Sequence, residues 1–236
     1  MKCLLSVCLV TTMCVGAALH SAVQQSVAQA HALQKGVGVE MATAANAHAW
    51  PQADDSDAWV VTVDNTGRLY FGADAMTPED LKEWMIRHPR RRDQKLYIKA
   101  DARAPFASLE KALDAAGSAG FAEPVLLVNQ RDSSAKPGIV VPPRGLAVTI
   151  DGASRDAQSV VVEITGSAKE PATLAVNREP VSWESLQDRL RESVESRDEK
   201  SVFVEADGQA AFAQVARIID ACGAVKAKAV LSGATL

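Results

Sequence analysis

Two aspartates occupy matching positions in the chain and are the side chains best placed for acid–base chemistry. Asp101 and Asp207 each end a predicted strand and precede a predicted helix. A catalytic carboxylate works with a partner acid, a histidine or a metal ligand, and none of these recurs beside the two copies. We therefore interpret Asp101 and Asp207 as caps of the helices that follow, and Asp114 and Asp220 as polar positions on those helices.

Motifs for other kinds of chemistry are missing from the sequence. It has no phosphate-binding loop, dinucleotide fingerprint, serine-hydrolase elbow or zinc-protease helix motif. Three of the four cysteines lie in the first fourteen residues, and we expect Cys222 to be a small core residue. The four histidines (His20, His31, His48 and His88) show no metal-site spacing. We therefore predict no catalytic residue, no metal site, no cofactor and no enzymatic activity.

A run of basic residues, RHPRRR, occupies positions 87–92 at the end of a predicted helix. Arg90, Arg91 and Arg92 are candidates for binding a partner protein or an anionic envelope surface. The simpler alternative is a solvated helix end, which favours cations because of the helix dipole. A formal net charge of −4 with 23% charged residues argues against a protein that binds nucleic acid.

The chain contains the same domain twice. Ala100–Gly117 aligns with Ala206–Gly223 at an offset of 106 residues, with eight identities in eighteen positions. A self-match with a period of about a hundred residues indicates a duplicated domain, because solenoid repeats have units of roughly 20–50 residues. Each copy is long enough to bury a modest core of its own.

The predicted elements follow the same order in both copies. Each copy opens with an alternating segment typical of a strand, Val37–Met41 in the first and Leu146–Ile150 in the second. Two strands, a helix, a strand, a second helix and a last strand follow. The first helix has clear start signals in Thr77 and Pro78, and Ser182 takes the place of Thr77 in the second copy. This order predicts an α+β fold, with two tandem copies of a small mixed sheet and two helices on one face of each.

An apolar segment precedes the two copies. The seventeen uncharged residues after Lys2 predict either a signal peptide or a membrane anchor over residues 1–30. We divide the rest into a first domain (31–129), a linker rich in Pro, Ser and Gly (130–143) and a second domain (144–236). A retained anchor makes this a single-pass membrane protein, and cleavage makes it a soluble exported protein. In both cases we expect the two copies to lie outside the cytoplasm.

The opening strands are candidates for capturing a partner. An extended peptide can add to an exposed sheet edge through main-chain hydrogen bonds. Val37, Gly38 and Val39 in the first copy, with Leu146 and Val148 in the second, are the residues that we assign to such a partner-binding surface. The alternative is that both strands only complete the fold.

An ordered series of short motifs runs through the first copy. The residues that carry it are Gly67, Leu69, Tyr70, Phe71, Thr77, Pro78, Leu81, Tyr97, Ile98, Ala100, Asp101, Phe106, Leu113, Asp114 and Gly120. This series resembles the periplasmic domain of the ExbD/TolR proteins. The resemblance is close over Leu33–Asn129 and looser in the second copy, which retains the sequence VEAD at 204–207 and Phe212.

The resemblance implies a function and a set of partners. ExbD/TolR proteins are subunits of proton-driven motors that energise outer-membrane transport and envelope maintenance, together with ExbB/TolQ-like and TonB/TolA-like proteins or peptidoglycan. Their domains pair as dimers, so two copies in one chain imply an intramolecular pseudo-dimer. The expected function is that of a non-enzymatic periplasmic component which binds a TonB-like partner or transmits energy to it. The resemblance also implies a single-pass protein of the cell inner membrane with its repeats in the periplasm if the anchor is retained, and a soluble periplasmic protein if it is cleaved.

The chain departs from the family in its N-terminal segment. Residues 1–30 contain no Asp or Glu, whereas family members carry a membrane aspartate that takes part in proton passage. Only a titratable group can pick up and release protons within a bilayer, so this segment lacks the proton carrier of the family. The alternative function is therefore an exported envelope or peptidoglycan-associated binding or scaffold protein that keeps the fold without motor activity.

Overall fold

The computed structural model of the chain describes residues 36–91, 93–130, 141–151, 159–167 and 172–232. The predicted N-terminal signal peptide or anchor and most of the predicted linker lie outside these ranges. None of the helices within them has the length and apolar character that a membrane span requires.

The first copy forms most of the predicted succession of elements, and its strands bury alternate apolar residues beneath the helices. The strands are β1 (Thr43–Ala44), β2 (His48–Ala49), β3 (Trp59–Val63), β4 (Leu69–Phe71), β5 (Asp74–Met76), β6 (Leu96–Ala100) and β7 (Val125–Gln130). The helices are α1 (Pro78–Arg87) and α2 (Phe106–Ser118), and a short 3-10 helix spans Pro51–Asp54.

Among the described residues, the second copy repeats the succession from β3 onward and has one longer strand, β8, where the first copy has β1 and β2. Its strands are β8 (Arg144–Asp151), β9 (Val160–Thr165), β10 (Thr173–Val176), β11 (Glu179–Val181), β12 (Ser201–Ala206) and β13 (Lys228–Ser232), and its helices are α3 (Leu186–Glu195) and α4 (Phe212–Ala224). The predicted α+β class is confirmed.

The helix start predicted at Thr77 is confirmed, and its counterpart in the second copy differs. Thr77 accepts a hydrogen bond from the backbone N–H of Asp80 (3.1 Å), which satisfies one donor of the first turn of α1. Ser182 was expected to do the same for α3. Its hydroxyl instead accepts from the N–H of Ser185 (3.2 Å) in a turn that precedes the helix, and α3 begins at Leu186.

The two copies share one sheet. Across the described residues, the strands are ordered β11-β10-β9-β12-β13-β8-β7-β6-β3-β4-β5, with β1 and β2 attached to β7 and β8. Five strands lie on each side of β8. Counted outward from β8, β13, β12, β9, β10 and β11 of the second copy correspond to β7, β6, β3, β4 and β5 of the first. Parallel pairs such as β3 with β6 lie towards the centre, and antiparallel hairpins form both outer edges. The sheet is therefore continuous through both domains, rather than two separate small sheets.

Strand β8 joins the two copies because its two halves pair with different neighbours. Arg144–Ala147 pairs antiparallel with β7 of the first copy, and Val148–Asp151 pairs parallel with β13 of its own copy. The strand predicted over Val37–Met41 is wrong, since only Met41 forms a bridge there, with Asp101. The edge of β7 is already occupied by β8, and the first copy contributes only the two residues of β1 to the far end of β7.

The helices of both copies cover one face of the sheet and enclose a common apolar core. Phe106 at the start of α2 and Phe212 at the start of α4 are among the largest fully buried side chains. Burial of a large apolar side chain contributes roughly 1.5–3 kcal/mol, so these two rings are major contributors to the core. On the opposite face of the first copy, Trp50 and Ala53 pack with Tyr97 in a second, smaller cluster.

Helices α2 and α4 cap each other across the boundary between the copies. The first backbone N–H groups of a helix have no acceptor within the helix and need one from elsewhere. Here the loop before each helix supplies its carbonyl groups to the other helix. From donor N–H to acceptor carbonyl, the bonds are Phe106 to Ala210 (2.9 Å), Ala107 to Gly208 (3.0 Å), Phe212 to Ala104 (2.9 Å) and Ala213 to Ala102 (2.9 Å). The offset of 106 residues relates the first two bonds to the last two, so the contact has approximate two-fold symmetry.

This mutual capping corrects the interpretation of Asp101 and Asp207 as helix caps. The N-cap residues of α2 and α4 are a proline and an alanine, whose side chains have no acceptor. The two aspartates instead stabilise the loops before the helices. Asp101 accepts from the N–H of Arg103 (3.0 Å), and Asp207 accepts from the N–H of Gln209 (2.8 Å). Such local turns are common for aspartate.

Asp220 adds a second connection between the copies. Its carboxylate, on α4, accepts hydrogen bonds from the backbone N–H groups of Ala45 (3.1 Å) and Asn46 (2.7 Å), just after β1. The sequence suggested only a polar helix position for this residue. The interaction ties the second-copy helix to the segment of the first copy that follows β1.

We expect Gly145→Ala to destabilise the protein by about 1–3 kcal/mol, because this position lies where β8 meets β7. A Cβ atom at Gly145 would lie 2.4 Å from Cγ1 of Val125 and 3.1 Å from both the carbonyl oxygen of Leu126 and Cδ1 of Trp50. Urea unfolding measures the change. Gly38→Ala is the matched control, since a Cβ atom there meets nothing within 4 Å. Equal stability of the two variants would contradict the close approach of β8 to β7.

Candidate functional site

An open cleft of about 530 Å³ lies on the first copy, beside the first residues that the structure describes. The extended segment Gly38–Glu40 forms one wall. The turn after β3, with Asp64 and Asn65, and the loop after β6, with Asp101 and Arg103, form the remainder. The cleft therefore combines an exposed backbone segment with three carboxylates, those of Glu40, Asp64 and Asp101, and one guanidinium group.

Asp101 is the buried centre of this cleft. Its carboxylate accepts from Nε (2.9 Å) and Nη2 (3.1 Å) of Arg103 and from the backbone N–H of Glu40 (3.2 Å). Burial alone would raise the pKa of Asp101, but the hydrogen bonds and positive charge of Arg103, with the bond from Glu40, outweigh it and lower the pKa. The carboxylate therefore stays ionised and fixes the segment around Glu40 against the loop before α2.

Asp64 organises the neighbouring turn in a similar way. Its carboxylate accepts from the N–H (2.8 Å) and hydroxyl (2.7 Å) of Thr66, from the N–H of Arg68 (3.0 Å) and from the hydroxyl of Tyr70 (3.1 Å). Burial opposes ionisation, but these four hydrogen bonds prevail, and the pKa of Asp64 is lowered. The turn is thereby held rigidly at the edge of the cleft.

The predicted binding residues of the first copy lie at this cleft. Gly38 and Val39 line it, and Val37 is the half-buried residue immediately before them. They have no strand conformation, but Glu40 donates its N–H to Asp101 and accepts at its carbonyl oxygen from the N–H of Ala102 (2.7 Å). The extended segment is thus tied down at Glu40.

The predicted binding residues of the second copy lie elsewhere, within the sheet. Leu146 and Val148 are buried on β8, with 4% and 1% of their surfaces exposed. The strand pairs with β7 through one half and with β13 through the other. In this arrangement β8 completes the sheets of both copies and is not an open edge for a further strand.

The basic run contacts its own copy. Arg90 donates to the carbonyl oxygen of Gly120 (3.2 Å), and its guanidinium lies 4.2 Å from the centre of the Phe121 ring. Arg91 forms an ion pair with Asp57 (3.1 Å). Arg92 lies outside the described residues. The structure therefore does not gather the predicted residues into one site, since Arg90 and Arg91 face surfaces other than the cleft.

The arrangement suits recognition of a polar or peptide partner. Asp64 and Asp101 are held ionised by several donors each, so neither is suited to donate a proton at neutral pH. In the described part of the chain, no group of His, Cys, Asp and Glu is arranged to hold a metal ion. The Cys222 thiol is buried on α4, and burial raises its pKa to about 12.

Sequence reasoning missed the roles of Arg103 and Asp64. Arg103 lies two residues after Asp101, and this spacing is compatible with a side-chain ion pair across a tight turn. Asp64 begins the sequence DNTG, a composition typical of a turn, which gives no sign of a contribution to a cleft. The sequence therefore contains both local patterns. Whether they meet in one cleft depends on the position of Glu40, which is 61 residues from Asp101.

We expect Asp101→Asn to lower the free energy of unfolding by about 1–3 kcal/mol at neutral pH, since an amide cannot satisfy both Arg103 and the N–H of Glu40. The pKa of Asp101 is lower in the folded state than in the unfolded state. Its stabilising contribution is therefore fully present above the unfolded pKa and is lost as pH falls through the folded pKa. The stability difference from the wild type should shrink on acidification.

Urea unfolding between about pH 7 and about pH 3 measures this convergence. Asp207→Asn is the matched control. Asp207 is exposed, and the residue of the second copy that corresponds to Arg103 is the uncharged Gln209. A pH-independent effect of Asp101→Asn, or an equal effect of Asp207→Asn, would refute the role of the charge on Asp101.

Comparison with known proteins agrees with the duplicated architecture. A family model described as biopolymer transport protein ExbD/TolR matches the chain twice, over residues 22–131 and 134–231. The two matches account for most of the chain. No curated protein and no solved structure matches it. Because the family model covers both copies, the chain belongs to the ExbD/TolR family of biopolymer transport proteins.

Proposed function

We propose that the protein is a non-enzymatic periplasmic component of a transport system driven by the proton-motive force. In this proposal it binds a TonB/TolA-like protein, or transmits energy to it, and works with an ExbB/TolQ-like motor subunit. Membership of the ExbD/TolR family supports a role in energy transduction for biopolymer transport. The observation that carries the proposal is the mutual capping of α2 and α4, which joins two family domains as a pseudo-dimer within one chain.

The cleft is the surface through which we propose that the domain receives its partner. Gly38–Glu40 lies directly after the N-terminal region, so a force applied to that region reaches the domain through this segment. Asp101 and Arg103 connect the segment to the loop that caps α4. A peptide bound along the cleft would contact the same groups, which supports a coupling between partner binding and the boundary of the two copies.

In this proposal the proton pathway does not run through residues 1–30. Residues 1–30 contain no carboxylate, and proton transfer within a bilayer requires a titratable group. The same observation favours the second candidate function, an exported envelope or peptidoglycan-associated scaffold without motor activity. The intact mass and N-terminal sequence of the mature protein separate them, because the motor role requires a retained membrane anchor and cleavage near residue 30 favours the scaffold.

We expect the fragment 31–236 to be monomeric in solution, because the contact that two family domains would use to pair is already made within the chain. Light scattering over a range of protein concentrations measures the mass. A stable dimer would show that the chain still pairs through another surface and would contradict a self-contained pseudo-dimer.

Deletion of the gene should abolish energised uptake of a substrate that enters through an outer-membrane receptor. Uptake is measured with and without a protonophore, and the wild-type gene should restore the protonophore-sensitive part. Asp101→Asn should restore it poorly, and Asp207→Asn should restore it fully, with equal amounts of each protein in the envelope. Normal uptake in the deletion strain would refute the transport role. Full rescue by Asp101→Asn would refute the role of the cleft in transport. It would leave the transport role of the protein standing.

A further inference from the structure

Two polar side chains are buried on the outer face of the sheet in the first copy, opposite the helices. Thr62 on β3 is 0% exposed, and among the described residues its hydroxyl oxygen has no hydrogen-bond partner. Lys99 on β6 is 4% exposed and lies beside Thr62 in the register of the two strands. The residues before and after each of them belong to the core beneath the helices, so both side chains point away from that core. Another part of the chain must therefore cover them.

Residues 36–40, which we call the strap, cross this outer face. At one end Gly36 lies against β3, since a Cβ atom at this position would be 2.6 Å from Oγ1 of Thr62. At the other end Glu40 donates its N–H to the carboxylate of Asp101, directly after β6 (3.2 Å). The strap therefore runs from β3 to the end of β6, the two strands that carry the buried polar side chains.

The strap is held by hydrogen bonds at one end only. Besides its bond to Asp101, Glu40 accepts at its carbonyl oxygen from the N–H of Ala102 (2.7 Å), and its carboxylate lies 3.7 Å from Nη2 of Arg103. Within the described ranges, residues 36–39 form no hydrogen bond. Opening the strap from its Gly36 end therefore breaks no hydrogen bond before it reaches Glu40.

Closure of the strap over these side chains has an energetic cost. A hydroxyl that is buried without a partner loses its hydrogen bonds to water. Burial also lowers the pKa of Lys99, because an ammonium group loses hydration in an apolar environment. When the strap opens, water reaches both groups and offsets part of the packing that is lost. Both costs thus lower the free energy of this local opening relative to that of global unfolding.

The second copy forms the same strand pairs without a deeply buried polar pair. The register of β9 with β12 places Glu163 and Glu205 where the first copy has Thr62 and Lys99. Both glutamates are only partly buried. The opening strand of this copy, β8, lies within the sheet and does not cross its face. Deep burial of two polar groups therefore accompanies the strap and is not required for the strand pairing.

We propose that the strap is a cover with two states, closed over Thr62 and Lys99 or open along residues 36–39. Glu40 is the point at which opening stops. In the open state the Lys99 ammonium and the Thr62 hydroxyl are in water, so a covered part of the sheet becomes an accessible cationic surface. This equilibrium is a property of the chain alone and does not depend on the transport role.

The test is acetylation of lysine side chains in the full-length chain, in detergent where it remains with the membrane, followed by peptide mass spectrometry. Lys99 is compared with Lys82, which is exposed on α1. We expect Lys99 to react measurably but at least about tenfold more slowly, because it reacts only from the open state. The lowered pKa of Lys99 would by itself make it the faster of the two, so slower labelling reports the cover.

Two variants should shift the equilibrium in opposite directions. Gly36→Ala should speed the labelling of Lys99 at least about fivefold, because its Cβ atom meets Thr62 and its φ of +88° is unfavourable for alanine. Thr62→Val should slow it, because a methyl group replaces the unpartnered hydroxyl. The matched control is Gly38→Ala, which lies on the same strap and should leave the rate unchanged, since a Cβ atom there meets nothing within 4 Å.

Alkylation of the buried Cys222 thiol, measured on the same samples, separates opening of the strap from unfolding of the protein. It should not respond to Gly36→Ala. Three results would overturn the proposal. They are labelling of Lys99 as fast as that of Lys82, an unchanged Lys99 rate in Gly36→Ala, and equal increases at Lys99 and Cys222 in that variant. None of them bears on transport, which the uptake assay tests independently.

Discussion

The way in which the two copies are joined depends on the first N–H groups of α2 and α4, which have no acceptor within their own helix. A buried backbone donor must find an acceptor, and the N-cap residues of the two helices, Pro105 and Ala211, have no side-chain acceptor to offer. Each takes its acceptors from the loop of the other copy, through carbonyl groups at Ala102 and Ala104 or at Gly208 and Ala210. Phe106 and Phe212 are buried at the same boundary. Separation of the copies would expose both rings and leave both helix ends without these acceptors, so this contact stabilises the association of the two copies.

The shared strand imposes the second constraint, and it makes the two copies unequal. Since β8 occupies the edge of β7, the first copy has no edge left for its own opening strand. Its residues before β1 lie instead against the loop after β6, where Asp101 and Arg103 hold Glu40. The cleft at Gly38–Glu40 therefore lies where the first copy has no counterpart of the long strand β8. The contact between α2 and α4 is therefore nearly two-fold symmetric, whereas β8 pairs differently with the two copies.

Local and repeated features could be predicted from the sequence, whereas features set by competition between distant segments could not. Most of the element order, the α+β class and the start of α1 at Thr77 follow from periodicity and capping chemistry, which act within a few residues. The short strands β5 and β11, which come just before the first helix of each copy, were not predicted. The alternation in Val37–Met41 also resembles a strand, but whether it pairs depends on β8, about a hundred residues away. The role of Asp101 was misjudged for the same reason, since the true caps of α2 are backbone carbonyls that leave no trace in side-chain type.

Fusion of the two domains changes how the protein can evolve. In a symmetric dimer of separate chains, every substitution appears twice and must be tolerated at both equivalent places. In this chain a substitution appears once, so one half can preserve the shared boundary while the other acquires new chemistry. Arg103 faces Glu40 where the second copy has Gln209, and Tyr97 carries a hydroxyl where the second copy has Phe203. The mutual capping of the helices thus keeps the two copies together, while substitutions outside this contact can give each copy different chemistry.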